Sequence, residues 1–420
     1  MRFVGLVSKQ LTILLLGAGL LSGAAHGLSD QYETPPEQDP AAILDGKELG
    51  PGYAVLSPVR SNGLMRLYEL QGDNGVEQIE GDGLLKHRLS EIQAFVALSA
   101  LKNDANFVDG LTEAAKKPAK FVESAITDPS GTAKNTVTGV GRMFGRLSKG
   151  VEAVVTGKGG SAGEIAASIT GQARARRELA VQLGVDPYTL DKPLSEKLDE
   201  TAGVTTAGNW TVSAITALIP GGMIVNATRT ADNFRTVIID SSPAELQERT
   251  LAALRKALIS ETTISQISAN SFYTQSEKAV IAYRLQSMPS VRGLELIAEK
   301  IAKADNREDA YYQLRQIVLL ENYNSNVSEL GQIRLVSDTL VALRRDGSAA
   351  IVLPLDSVAW TESSAQKFSG LHEEIGQLPF PPTSVEFLIT GDLTKMAAER
   401  IASFGWDITG NFPMPDGPVH

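Results

Sequence analysis

The side chains in this sequence whose types and spacing could do chemistry form a short set. They are a serine among glycines, a serine three residues before a lysine, two glycine-rich runs and two internal histidines. Gly159-Gly160-Ser161-Ala162-Gly163 matches Gly-x-Ser-x-Gly, a turn that exposes a serine hydroxyl to a base where a strand meets a helix. Val151–Val155 and the stretch from Glu164 could supply that strand and helix, and His372 lies downstream, in the usual order of such triads. Two features oppose it. Thr156-Gly157-Lys158 separates the apolar run from the motif, and no His-Gly-Gly oxyanion sequence precedes it. The plainer reading is a flexible glycine loop. A serine hydrolase using Ser161 and His372 stands as the runner-up function.

The other groupings fall short of their chemistry. A phosphate loop around Gly157-Lys158 would need a glycine where Glu152 sits, and a Ser or Thr where Gly159 sits. Gly139-Val140-Gly141 with Gly145 misses dinucleotide spacing by one residue. Ser364-Ala365-Gln366-Lys367 fits Ser-x-x-Lys, but the companion Ser-Asp-Asn and Lys-Thr-Gly motifs are missing, which leaves a solvated helix face. His372-Glu373-Glu374 has no second histidine at helical spacing, and His87 sits between Lys86 and Arg88. One imidazole makes no metal site alone, so both read as surface histidines. No metal and no cofactor is expected.

The elements that must position these residues divide the chain by pattern. Residues 28–50 are polar and contain Pro35, Pro36 and Pro40, which suits a loose leader. Residues 51–82 form a β-hairpin region: Tyr53–Val59 and Leu64–Leu70 flank Asn62-Gly63, a strong hairpin signal, with a further strand at Val76–Ile79. Residues 83–326 form a helical body. Ser242-Pro243-Ala244-Glu245 and Thr274-Gln275-Ser276-Glu277 are capping boxes that start two of its helices. Residues 332–411 read β-β-α-β-α-β, with one long strand at Ile333–Arg345, and suggest a small α/β domain. The tail, 412–420, should fray. The fold class that follows is α+β, with a predominantly helical body.

Composition places the protein. Arg2 and Lys9 precede the apolar run Leu11–Leu21, and small residues follow to Gly27, the order of a secretory signal cleaved after Ala24 or Gly27. Leu21-Ser22-Gly23-Ala24 has the shape of a lipobox, but alanine stands where cysteine would be acylated. The chain has no cysteine, so lipidation there, disulfides and thiolate metal sites are all excluded. A formal net charge of −10, two units more negative once the signal is removed, disfavours nucleic acid. The expected compartment is the bacterial periplasm or the exterior.

One segment runs against the acidic trend. Lys134, Arg142, Arg146 and Lys149 belong to a Gly- and Ser-rich basic stretch, and 201–228 then carries no ionisable side chain. That second run, including Trp210, Ile215, Leu218 and Ile219, is broken by Pro220-Gly221-Gly222 and diluted by polar residues. It reads first as a buried hairpin and second as contact with a membrane interface. Cations beside anionic headgroups gain about 1 kcal/mol each, which makes these eight residues the membrane-contact candidates.

Ala173-Arg174-Ala175-Arg176-Arg177-Glu178-Leu179 through Gly184-Val185-Asp186-Pro187-Tyr188-Thr189 resembles a segment of exported proteobacterial proteins of unknown function. Ile389-Thr390-Gly391-Asp392-Leu393-Thr394 with Gly405-Trp406 resembles their C-terminal strand-turn-helix. The resemblance implies the same compartment and no activity. The leading expectation is an exported cell-envelope protein that binds or supports, touching an anionic membrane surface or another envelope protein. A pore-forming or effector role is a third reading. The sequence leaves the oligomeric state open.

Overall fold

The computed structural model describes residues 31–100, 162–207, 237–415 and 417. The expected signal, Ser161 and all eight membrane-contact candidates lie outside the described residues. The fold is α+β.

The chain opens with a one-turn helix α1 (Pro40–Ile43) and five strands: β1 (Leu49–Gly50), β2 (Tyr53–Val55), β3 (Arg60–Ser61), β4 (Arg66–Gly72) and β5 (Gly75–Glu80). They form an antiparallel sheet in the order β1-β2-β4-β3, with β5 also paired to β4. The Asn62-Gly63 signal is a turn. Asn62 Oδ1 accepts from the amides of Leu64 and Met65, and Gly63 has a φ of 93°. Of the strand expected at Tyr53–Val59 only Tyr53–Val55 forms as β2; the chain breaks at Ser57-Pro58, and β3 starts beyond it at Arg60.

Residues 31–50 depart from the expected loose leader. Gln38 bridges to Val59, and Glu33 exchanges backbone and side-chain hydrogen bonds with Trp360, in the C-terminal part of the chain. Polar composition hid this, because the anchoring bonds are made by backbone and one carboxylate.

Helices follow: α2 (Asp82–Ala100), α3 (Ala162–Gln182), α4 (Lys192–Ala207), α5 (Pro243–Lys256), α6 (Glu261–Ala269), α7 (Gln275–Gln286), α8 (Leu294–Ala302) and α9 (Arg307–Asn326). Both expected capping boxes form, at Ser242–Glu245 and Thr274–Glu277. Helix α6 was not legible as a helix; it starts on a Ser260 cap and buries Thr263, Ile264 and Ile267. Ala94, Ala97 and Leu98 of α2 pack with Leu179, Leu194 and Leu198 of α3 and α4.

The C-terminal sheet comprises β6 (Leu330–Val336), β7 (Thr339–Arg344), β8 (Ala349–Leu353), β10 (Val385–Ile389) and β12 (Trp406–Thr409). Its order is β12-β10-β8-β7-β6, parallel on the β12 side and antiparallel on the β6 side. A two-stranded parallel pair, β9 (Ser357–Val358) with β11 (Asp392–Leu393), lies apart from it, and helices α10 (Glu362–Gly376) and α11 (Lys395–Ala402) complete the unit. The long strand expected at Ile333–Arg345 is a hairpin. Ser337 and Asp338 both adopt positive φ, 45° and 59°, the two-residue turn whose twist matches strands. Asn-Gly is the usual signal for it, and Ser-Asp does not announce it.

Strand β8 is buried throughout, and its side chains alternate between two cores. Ala350 and Val352 join the core shared with α7, α8 and α9, whereas Ala349, Ile351 and Leu353 join that of α10 and α11. Helix α9 therefore covers the sheet face that α10 and α11 leave free, and the sheet shares its core with the helical body. Beyond the sheet, Phe412 and Met414 of the expected frayed tail pack against that shared core.

Candidate functional site

Helix α9 is buried along most of its length, and its polar residues therefore have consequences. Gln313 and Gln316 sit on it at 6% and 3% exposure. Gln313 donates to Asp309 Oδ1 at 3.0 Å, and Gln316 Nε2 reaches the Val352 carbonyl at 3.4 Å. Gln316 Oε1 is sealed from solvent and finds no donor among the described residues, and the same holds for Thr339 Oγ1 on β7. An unsatisfied buried polar atom costs about 1–3 kcal/mol, and such atoms in folded proteins call for an explanation.

Both residues line one cleft of about 570 Å³, within the size range of small-molecule sites. Three parts of the fold wall it. The N-terminal sheet contributes the Asn62 turn and β5, α8 and α9 contribute their facing ends, and the β6–β7 turn with α10 closes the third side. Leu64, Met65, Leu67, Ile79, Leu340 and Leu353 supply apolar surface.

Charge is unevenly placed along these walls. Lys300 ends α8 and donates to both the Oδ1 (2.8 Å) and the backbone carbonyl (3.0 Å) of Asp338. The positive φ of Asp338 turns that residue's backbone and side chain toward one cation. Lys367, on α10, forms no ion pair among the described residues. Partial desolvation in the cleft draws its ammonium below the ordinary lysine range, and the neighbouring Lys300 charge adds to that, against the attraction of Asp338. Glu374 of α10 accepts from the Ser337 amide at 3.1 Å, so the turn brings two carboxylates as well as the two lysines to this end of the cleft. Elsewhere Glu80 accepts from the Asn62 amide at 3.0 Å, and Glu308 and Asp309 occupy the first turn of α9, where the helix dipole favours them.

A buried polar cluster backs the cleft between the two sheets. Asp356 Oδ2 accepts from the amides of Asp82 (3.0 Å) and Arg66 (3.2 Å), while Asp82 pairs with Arg66 at 2.5 Å and accepts from Tyr68 at 2.6 Å. Burial, then the nearby Asp82 charge, push the Asp356 carboxyl up to about 7. This cluster locks the N-terminal sheet to the segment after β8.

The sequence candidates fare differently. His372 is exposed on α10 and stacks on Phe404 at 4.6 Å between ring centroids, with Trp406 edge-on. No hydrogen bond or ion pair joins it to a carboxylate among the described residues, and its relation to Ser161 lies outside them. His87 is not the surface histidine expected. Its side chain is 12% exposed, faces Glu91 at 3.5 Å and packs on Tyr311. Burial alone would lower it, but the hydrogen bond and charge of Glu91 together outweigh burial and raise it; the same contact helps bring Glu91 down to about 2. Ser364 is buried rather than solvated. It closes the α10 cap with Thr361 and donates to the Ala359 carbonyl at 2.5 Å.

Sequence reasoning missed the cleft because its polar residues come from separate elements, with Lys300 and Lys367 on different helices. A signal did exist in Gln313 and Gln316, three residues apart on a helix whose remaining middle positions are mostly apolar or aromatic. No group of three or more metal-ligating side chains occurs among the described residues, and no described helix is long and apolar enough to cross a membrane. Comparison with protein-family models, with curated proteins and with solved structures finds no match to this chain.

Proposed function

We propose that this is an exported, non-catalytic binding protein of the cell envelope, and that the cleft between its two sheets holds a small polar ligand. The observation that carries the reading is the cleft itself, about 570 Å³ between the two sheets, where the polar side chains of Gln78, Gln313 and Lys367 stand beside an apolar wall of Leu64, Leu340 and Leu353. Lysines, amides and a hydroxyl hold and orient a guest. The N-terminal charge and hydropathy order supports export.

The test is thermal unfolding of the mature protein against a panel of small carboxylates, amines, sugars and nucleotides. At least one class raises the midpoint, as selective binding to the folded state requires. Leu64→Trp, which fills the cleft from the hairpin turn, abolishes that rise. A panel without effect, or an effect that survives the tryptophan, overturns the assignment. A fluorophosphonate probe leaves the protein unlabelled. Labelling that Ser161→Ala removes would assign hydrolysis instead.

A further inference from the structure

The apolar side chains of α3 and α4 do not join the main core. Leu179, Leu183, Val185, Leu194 and Leu198 cluster with the far half of α2, apart from the core of α7 and α9. Where the α3–α4 connection meets the start of α7 and the near half of α2, the contacts are polar instead. Thr274 and Ser276 donate to Asp186, Thr189 donates to Glu91 Oε1, and Arg88 reaches Asp191 at 2.5 Å. The same Glu91 oxygen faces His87 Nε2 at 3.5 Å, so one carboxylate ties the connection to the imidazole.

Negative charge is in excess along this seam. Glu77, Glu91 and Asp191 share Arg88, and Glu277 takes Arg307. Asp186, 1% exposed, forms no ion pair among the described residues and accepts only from two hydroxyls and the Tyr188 amide. From α3, Arg176 and Arg177 approach Tyr188, but Arg176 pairs with Asp199 at 2.7 Å and Arg177 donates to the Ile239 carbonyl at 2.8 Å. His87 rests on Tyr311 of α9, with Glu277 favouring its charge and Arg307 opposing it. We propose that α3 and α4 form a latch on the body, closed in acid and opening as pH rises, with His87, Glu91, Thr189 and Asp186 as its clasp.

The signs agree. Burial opposes an imidazolium at His87, but the hydrogen bond and charge of Glu91 together prevail and raise it. Its contribution to closure is therefore complete below the ordinary 6.5 and is lost as pH climbs through the higher value of the closed form. Burial, then the Glu277 charge, raise Asp186 above its ordinary 3.8, so it too favours closure less as pH climbs. Glu91, brought down to about 2, stays ionised across this range. The packing on the far half of α2 and the Arg177 bond do not titrate there, and they keep the opened pair tethered.

The chain has no cysteine, so Glu196→Cys on α4 and Lys256→Cys on α5, both exposed, can carry spin labels without further change. Double electron–electron resonance on the labelled mature protein then reads the distance between the helices from pH 5 to pH 9. One distance dominates at pH 5, and a longer one grows by about fivefold or more toward pH 9 while the helical circular dichroism holds. Asp186→Asn keeps an acceptor oxygen without the charge and lowers the long-distance population at pH 9. His87→Gln, neutral at every pH, raises that population at pH 5, and the double variant responds to pH no longer. A single unchanging distance overturns the proposal, as does a pH response that the double variant retains. The titration of the labelled protein with His87 and Asp186 in place decides the matter even where a variant fails to fold.

Discussion

Asp356 and Glu277 are both buried carboxylates, and their surroundings give them opposite roles. Asp356 accepts two backbone amides, but burial and then the nearby Asp82 charge hold its carboxyl up to about 7. Its ordinary value is 3.8, and between those two values the native state keeps a proton that the unfolded chain has lost. Stability from this group therefore falls as pH rises from about 4 to about 7, then levels off. Asp356→Asn keeps an acceptor oxygen and removes the charge. Its unfolding free energy relative to wild type should improve between about pH 4 and pH 7 and hold level above, as measured by urea denaturation; parallel curves would refute the assignment. Glu277 is instead fully buried against Arg307, which reaches its two oxygens at 2.6 and 2.8 Å. Glu277→Ala strands a guanidinium and should cost about 3–5 kcal/mol in the same assay. The exposed Arg255–Glu261 pair is a control, and Glu261→Ala should leave the unfolding midpoint unchanged.

At the scale of elements, turns decide more than strands do. The Asn62 turn faces the segment between β8 and α10, where Ala359 donates to the Gly63 carbonyl and Asp356 to the Leu64 carbonyl. The hairpin signal thus marks a docking contact as well as a chain reversal. Gly391, between β10 and β11, lies so close to Asp356 that a Cβ there would fall 1.8 Å from the Asp356 carbonyl oxygen. Backbone cannot yield by that amount without losing the β9–β11 pair. Gly391→Ala should yield little soluble protein, or a midpoint lowered by well over 5 °C, whereas Gly370→Ala, with open space around it, should be neutral or better. A milder test applies to α7. Thr274→Ala removes one half of its capping box and a donor to the buried Asp186, and should cost more than the roughly 1 kcal/mol of an ordinary cap.

For the molecule as a whole, the polar contacts of the α3–α4 connection matter most. Asp186 accepts from Ser276 at 2.6 Å and from Thr274, and Arg88 pairs with Asp191 at 2.5 Å and Glu77 at 3.0 Å. These contacts fasten the α3–α4 pair, whose ends lead toward the basic and uncharged runs, onto the core. We propose that those runs provide peripheral contact with anionic membranes. The mature protein should sediment with anionic liposomes at low salt and be released at high salt, because exposed charges are screened. Retention at high salt would point to insertion, and no sedimentation would remove the membrane from the account. Export predicts a mature N-terminus at Ala25 or Leu28, readable by N-terminal sequencing from a bacterial envelope fraction.

Local patterns were sufficient for much of the fold. Helical spacing, proline and glycine stops and two Ser/Thr-x-x-Glu boxes marked most helices of the body, since each depends on residues within one turn of one another. Alternating and continuous apolar runs marked β8 and β10 for the same reason. The α+β class followed from those alone. Ser337-Asp338 escaped notice because its turn is enforced by the pairing of β6 with β7, not by a residue that prefers positive φ. Residues 31–50 escaped because backbone groups hold them. The cleft was the least legible feature. Lys300, Gln316, Thr339 and Lys367 line one cleft only once α9 lies across one face of the C-terminal sheet and α10 across the other. Non-local packing sets which polar atoms lose water together, and that decides where a ligand can bind.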